Sequence, residues 1–168
     1  MKTSLTLYET SGSIIGSDFA SKLTPQAAFE NSDNIQKLNR IKGREFTVLM
    51  VTTLLNESLV FVKNRLDPKQ MAAYANMFVS QNPTLTIDEL VVILTKGING
   101  EYGKSYGDFD YMVLTDWRNQ YEKGDRANYL EEKHTSKYPN DQRISIGGSS
   151  LGDSAKNNLN HTIKKIGQ

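Results

Sequence analysis

Helix-start signals recur along this chain and constrain its fold more than any other feature. Asp67-Pro68-Lys69-Gln70 places a capping aspartate before a proline in the first helical turn. Thr86-Ile87-Asp88-Glu89 has the spacing of a capping box, and Thr24-Pro25 and Asp108 are further start signals. Apolar residues at helical spacing follow these signals. The sequence therefore predicts a mainly α fold.

Each signal also predicts which residues are buried. The first helix runs from Pro25 to about Phe29, and Ser32 or Asp33 caps a second one that ends at Gly43. The predicted buried face of the second helix is Ile35, Leu38 and Ile41. The predicted buried face after Asp67 is Met71, Tyr74, Ala75 and Phe78.

Gly97 is predicted to end the helix that begins after Thr86. The helix after Asp108 carries an apolar stripe, which we expect to pack against the helices between Phe46 and Phe78: Phe109, Val113, Trp117 and Tyr121. Gly124 is predicted to break this helix before a last one from Asp125 to His134.

The segment from Arg44 to Leu66 fits two interpretations. Phe46 to Val51 is rich in residues that favour β-strands, whereas Val48, Val51, Leu55, Leu59 and Val62 also share one helical stripe. The length of the segment favours a helix.

The domain organisation predicted from these patterns is a single small helical domain with extended or disordered arms. Residues 1–23 mix Ser, Thr and Gly without a sustained period and are predicted to be an N-terminal arm; residues 24–134 are the helical domain. Residues 135–168 are predicted to be a basic flexible tail. Its five basic residues, Lys137, Arg143, Lys156, Lys164 and Lys165, exceed its two acidic ones, Asp141 and Asp153.

Composition excludes several classes of protein. The chain has 168 residues and no cysteine, which rules out disulfide scaffolds, thiolate nucleophiles and cysteine-ligated zinc. Polar residues interrupt the most apolar stretch, Phe46 to Val62, so we expect no membrane segment. Because no signal-peptide pattern follows Met1, the default expectation is a cytoplasmic protein.

A glycine-rich loop is the strongest hint of enzyme chemistry, because Gly103-Lys104-Ser105 resembles the end of a phosphate-binding loop. The spacing is wrong: the position that needs the first glycine is Ile98, and Gly97 lies one residue too early. The capping box also makes the preceding segment a helix instead of the required strand. We therefore expect no nucleotide hydrolysis, no cofactor and no catalytic residues.

Other candidate ligands have simpler explanations. Asp108 and Asp110 lie where a helix start favours carboxylates, and His134 and His161 have no neighbours that suggest a triad or a zinc site. Tyr102 and Tyr106 flank Lys104 in the glycine-rich loop, where their rings either pin the loop to the body or stack on bases of a nucleic acid. The predicted binding residues are this loop and the tail: Tyr102, Lys104, Tyr106, Lys137, Arg143, Lys156, Lys164 and Lys165.

The loop resembles that of a group of small helical proteins encoded by bacteriophages and mobile elements. The shared pattern spans about Thr84 to Arg126 and comprises Asp88-Glu89, Gly97, Gly100, Tyr102, Gly103, Tyr106, Gly107, Asp110, Trp117 and Tyr121. The arrangement is also loosely similar to phage helicase-loader and replisome-organiser proteins, a likeness of architecture only.

These resemblances imply a non-enzymatic accessory protein that acts by binding, in DNA replication. The expected partners are a replicative helicase or other phage proteins and single-stranded nucleic acid, without a membrane; an oligomer stays open. Two alternatives remain. One is a virion structural or assembly protein whose arms order between subunits, and the other is an inhibitor of a host defence system.

Overall fold

The structure is a computed structural model that describes residues 3, 6, 13–63, 66–103 and 108–137. The described residues up to Lys133 form one compact unit. The predicted mainly α fold is confirmed. Within the described ranges, the only β pairing is an isolated bridge between Asn34 and Thr86. None of the described helices is both long and apolar enough to cross a membrane.

Eight α-helices and one π-helix make up the described part of the chain. In chain order they are α1 (Asp18–Lys22), α2 (Pro25–Asn31), α3 (Ile35–Lys42), α4 (Arg44–Ser58), α5 (Pro68–Gln81), α6 (Ile87–Ile98), α7 (Tyr111–Tyr121), the π-helix (Glu122–Arg126) and α8 (Ala127–Lys137).

Three of the described helices begin where the sequence predicts. The side chain of Thr24 caps α2, and both predicted capping boxes, Asp67 with Gln70 and Thr86 with Glu89, are formed. Two caps are displaced along the chain. Asn34, and neither Ser32 nor Asp33, caps α3, and Asp110 replaces Asp108 as the cap of α7. Short polar side chains cluster at both places, so sequence alone does not select among them.

The ambiguous segment after Gly43 is the helix α4. Its buried face is Thr47, Met50, Val51, Leu54, Leu55 and Ser58. The hydroxyls of Thr52 and Thr53 donate to the carbonyls of Val48 and Leu49, 2.8 and 3.0 Å away. Tertiary burial outweighs the β propensity of the segment, and the two threonine hydroxyls are satisfied within the helix.

The central element is α6, which packs against α1, α2, α4 and α7. Consecutive residues along it are fully or almost fully buried: Leu90, Val91, Val92, Ile93 and Leu94. A helix that is apolar all round needs partners on every side. Three residues of the predicted stripe, Phe109, Trp117 and Tyr121, are confirmed as core, whereas Val113 is only partly buried. The helix α7 packs mainly on α6, and the ring of its Tyr111 also lies 5.3 Å from the ring of Tyr74 in α5.

The folded body begins earlier than the predicted boundary at Thr24. Ile14 and Ile15 are buried, and Ala20 of α1 is 3% exposed. One carboxylate oxygen of Glu57 accepts hydrogen bonds from the backbone N–H groups of Ile14 and Ile15, both at 2.7 Å. Residues 13–23 are therefore part of the domain, although their sequence lacks a sustained apolar period.

Two predicted helix ends and one buried residue are also corrected. Gly124 does not end a helix. It lies inside the π-helix, so the helical backbone is continuous from Tyr111 to Lys137. Gly97 lies within α6, where it packs against the ring of Trp117. Ile41 is 59% exposed at the last turn of α3, because six residues at 100° each place it about 120° around the helix from the buried Ile35.

Candidate functional site

The glycine-rich loop leaves α6 through a helix-terminating motif. Gly100, with φ +79°, donates its N–H to the carbonyl of Gly97 at 3.0 Å, and Glu101 donates to the carbonyl of Lys96 at 3.0 Å. This pair of bonds is the Schellman motif, which favours glycine at the residue of positive φ. The helix-ending glycine is thus Gly100, three residues after the predicted one.

A cluster of polar side chains then ties the loop to the following helices. Asp125 of the π-helix accepts hydrogen bonds from the ammonium of Lys96 at 3.0 Å to each oxygen, and from the hydroxyl of Tyr102 at 2.7 Å. The side-chain amide of Gln120 donates to the carbonyl of Tyr102 at 2.8 Å. We call Lys96, Tyr102, Gln120 and Asp125 the loop anchor.

The loop anchor is partly shielded from water. Lys96 and Asp125 each have 25% of their side chains exposed, and Glu101 lies 3.3 Å from Lys96 on the open side. Burial, followed by the hydrogen bond to Asp125, raises the pKa of the Tyr102 hydroxyl above its ordinary value. For Lys96, burial alone would lower the pKa, but the bonds and charges of Asp125 and Glu101 outweigh it and raise the pKa. Both groups stay protonated as donors at neutral pH.

A second polar cluster lies deeper, beside the loop anchor. Glu89 is fully buried; its Oε2 accepts the N–H of Thr86 at 2.7 Å, and its Oε1 accepts the hydroxyl of Tyr121 at 3.0 Å. The Nε of Arg126 lies 3.0 Å from the same Oε1. The guanidinium also lies over the ring of Phe29 and donates to the carbonyl of Thr84. We call Glu89, Tyr121 and Arg126 the buried ion-pair cluster.

The π-helix explains how both clusters are built from adjacent residues. In a regular α-helix, Tyr121 and Arg126 would point about 140° apart, at 100° per residue. The wider π turn brings residues i and i+5 close to one face. Arg126 therefore reaches Glu89 together with Tyr121, while Asp125 turns to Lys96 and Tyr102. Sequence reasoning missed both clusters, and the only local signal was that Glu89 closes a capping box.

The predicted binding residues are distributed unevenly in the structure. Tyr102 is half-buried with its hydroxyl engaged, which favours the interpretation that it pins the loop. Lys137 ends α8. The others lie outside the described residues: Lys104, Tyr106, Arg143, Lys156, Lys164 and Lys165.

Comparisons with known proteins add no assignment. No protein-family model, curated protein or solved structure matches this chain. Among the described residues, no group of three or more His, Asp or Glu side chains is arranged to hold a metal ion. The resemblance to phage and mobile-element proteins therefore stays a prediction.

Proposed function

We propose that this chain is an accessory protein of a bacteriophage or mobile element that acts by binding, in DNA replication. In this proposal, single-stranded nucleic acid is bound by the glycine-rich loop together with the basic tail. Lys104 and the tail supply charge for the phosphates, and Tyr106 supplies a ring for base stacking, worth about 1–3 kcal/mol per base.

The observation that carries this proposal is the loop anchor. A loop of Gly, Ser and Tyr loses much conformational entropy when it binds a ligand, and this cost opposes binding. Here the entry to the loop is already held by Tyr102, through Asp125 and Gln120. Lys104 and Tyr106 follow this fixed point directly in the sequence. An anchored entry lowers the entropic cost of binding through the residues that follow.

Charge along the chain supports the same proposal. The whole chain has a formal charge of +1, although residues 135–168 alone carry three more basic than acidic side chains. The residues before the tail therefore have a net negative charge. A polyanion is attracted to the tail and repelled by the acidic part of the body. The charge distribution therefore favours an orientation in which the tail faces the nucleic acid.

The test is binding of a fluorescent oligo(dT) strand, followed by anisotropy over a salt titration. Truncation after Lys137, which keeps α8 intact, should weaken binding and flatten its salt dependence because phosphate contacts are lost. Tyr106→Ala should weaken binding and keep the salt slope, since stacking releases no counterions. Tyr102→Phe should have a smaller effect, because it removes only the bond to Asp125.

Lys104→Gln should weaken binding and reduce its salt dependence, because it removes one phosphate contact. Lys69→Gln is its matched control, because Lys69 is an exposed lysine at the start of α5. The control should bind like the unaltered protein. Absence of binding at low ionic strength, or unchanged binding by the truncated chain, would contradict the proposal. Co-sedimentation of the native protein with virus particles would favour the virion alternative.

A further inference from the structure

Basic side chains are concentrated where α3 turns into α4. Lys37, Arg40, Lys42 and Arg44 are all exposed there, and Ile41 lies among them with 59% of its surface exposed. The connection is the single residue Gly43, whose φ of +88° allows the sharp turn between the two helices. We call Lys37, Arg40, Ile41, Lys42 and Arg44 the basic corner.

Local contacts hold most of these cations in place. Lys37 pairs with Asp33 at 2.7 Å, and the ammonium of Lys42 lies 5.8 Å from the centre of the Phe46 ring. Arg44 donates to the hydroxyl of Ser80 at 2.8 Å, near the C-terminal end of α5. Among the described residues, none forms a hydrogen bond or an ion pair with the side chain of Arg40, which is exposed.

The charge of the surrounding residues distinguishes this corner from the rest of the described surface. Outside it, the described residues contain more Asp and Glu than Lys and Arg. Several of the other cations are neutralised by nearby carboxylates: Lys63 by Asp108, Lys96 by Asp125, Arg118 by Glu122, and Arg126 by Glu89. An acidic partner is therefore repelled by most of the described surface and attracted to the corner.

Ile41 indicates the kind of partner. Lys37, Arg40 and Ile41 are three and four residues apart, so they share one face of α3. An exposed apolar side chain bordered by Arg and Lys has the make-up of a small protein interface, with an apolar centre and a charged rim. Phosphates would gain nothing from Ile41, whereas an apolar side chain of a partner protein could cover it.

We propose that the basic corner is a docking surface for an acidic, amphipathic helical segment of a partner protein. The carboxylates of that segment pair with Arg40, and its apolar stripe covers Ile41. The interface is small and belongs to the weak, transient class. This proposal goes beyond the nucleic-acid contact proposed above and gives the chemistry of the expected protein partner.

The basic corner and the entry to the glycine-rich loop belong to different helices. The corner comprises residues of α3 and α4, and the loop begins at the end of α6. Substitutions in one therefore change no residue of the other.

The probe is a fluorescent synthetic helix with Leu at three- and four-residue spacing and Glu on its remaining positions. Its addition should shift the amide resonances of residues 36–45 in a ¹⁵N-labelled sample. Arg40→Glu and Ile41→Ser should each weaken peptide binding about tenfold, as expected for central interface residues. Both positions are exposed, so circular dichroism should show an unchanged fold. Lys123→Glu, an exposed lysine of the π-helix, is the matched control and should bind normally.

Several results would overturn this proposal. Equal weakening by Lys123→Glu would mean that only net charge matters. If Arg40→Glu weakened oligo(dT) binding and left the peptide unaffected, the corner would be a nucleic-acid contact. Loss of self-association in Arg40→Glu by sedimentation velocity, without an effect on the peptide, would assign the corner to a second copy of this chain. Failure of the oligo(dT) test alone leaves the docking surface standing.

Discussion

Glu89 has two structural roles through its two carboxylate oxygens. Oε2 closes the capping box of α6 at Thr86, and Oε1 meets Tyr121 and Arg126, which lie far along the chain. A buried charge of this kind needs all its partners, because removing one leaves an uncompensated ion at a cost of about 3–5 kcal/mol. The capping role could be predicted from the sequence, since it depends on residues three apart. The ion pair could not, because it requires the π-helix.

Gly97 shows at the same scale that a missing side chain can be a packing requirement. A Cβ atom built at Gly97 would lie 2.2 Å from the ring of Trp117, whereas one at Gly124 would have no neighbour within 4 Å. The sequence presents both as glycines in or near helices. Only the position of Trp117 distinguishes them.

We expect Gly97→Ala to destabilise the protein and Gly124→Ala, its matched control, to stabilise it. Overpacking against Trp117 costs about 1–3 kcal/mol, which exceeds the gain in helix propensity of roughly 1 kcal/mol. At Gly124 only that gain remains, so the free energy of unfolding should rise by about 0.5–1 kcal/mol. Urea denaturation of both variants measures the difference. Equal stabilisation by the two substitutions would show that α6 and α7 do not pack as described.

The elements of this fold were predictable mainly at their starts. Thr24, Asp67 and Thr86 cap helices through bonds to residues within the next turn, so a short stretch of sequence contains the whole signal. Helix ends depend more on tertiary packing. Gly97 was mistaken for the end of α6 because its partner, Trp117, belongs to another helix. The N-terminal segment was missed for the same reason, since Glu57 of α4 binds it.

The buried ion-pair cluster joins α6, α7 and the π-helix, and it should give stability a measurable dependence on pH. Burial, the largest cause, raises the pKa of Glu89 above its ordinary value of 4.5, against the opposing effects of Thr86, Arg126 and Tyr121. The folded protein therefore holds a proton on Glu89 more tightly than the unfolded chain does. The resulting stability is fully present below pH 4.5 and is lost as the pH rises through the folded pKa.

Glu89→Gln removes this titration, so we expect the stability difference between the two proteins to change with pH. From neutral pH towards pH 4.5, the unaltered protein should gain stability relative to Glu89→Gln. Urea midpoints at matched pH values measure this relative gain. Repeating the series in high salt is the control, because burial effects are screened little. A difference that stays constant, or that moves in the opposite direction, would contradict the assigned environment of Glu89.

At the scale of the whole molecule, the charged residues that hold the helices together are distinct from the exposed basic corner. Glu89 with Arg126 and Lys96 with Asp125 are paired within the body. The basic corner lies outside these clusters. The sequence could predict the charge of the tail, because charge is read directly from residue types. It could not predict the basic corner, since the corner depends on which residues around Gly43 the rest of the body leaves exposed.

The extent of the folded domain gives the last prediction. Removal of residues 1–23 should destabilise the protein strongly, because Ile14, Ile15 and Ala20 are buried and the carboxylate of Glu57 would lose both N–H donors. Removal of residues 138–168 should leave the unfolding midpoint nearly unchanged, as expected for the predicted tail. If the shorter chain fails to fold, Ile14→Ala tests the same contact and should cost about 2–5 kcal/mol. Ile41→Ala, at an exposed position, is the matched control and should cost less than about 0.5 kcal/mol. Thermal and urea denaturation of the four variants test this prediction. Equal unfolding midpoints for the full-length chain and the chain that starts at Thr24 would support the domain boundary at Thr24 that the sequence predicted.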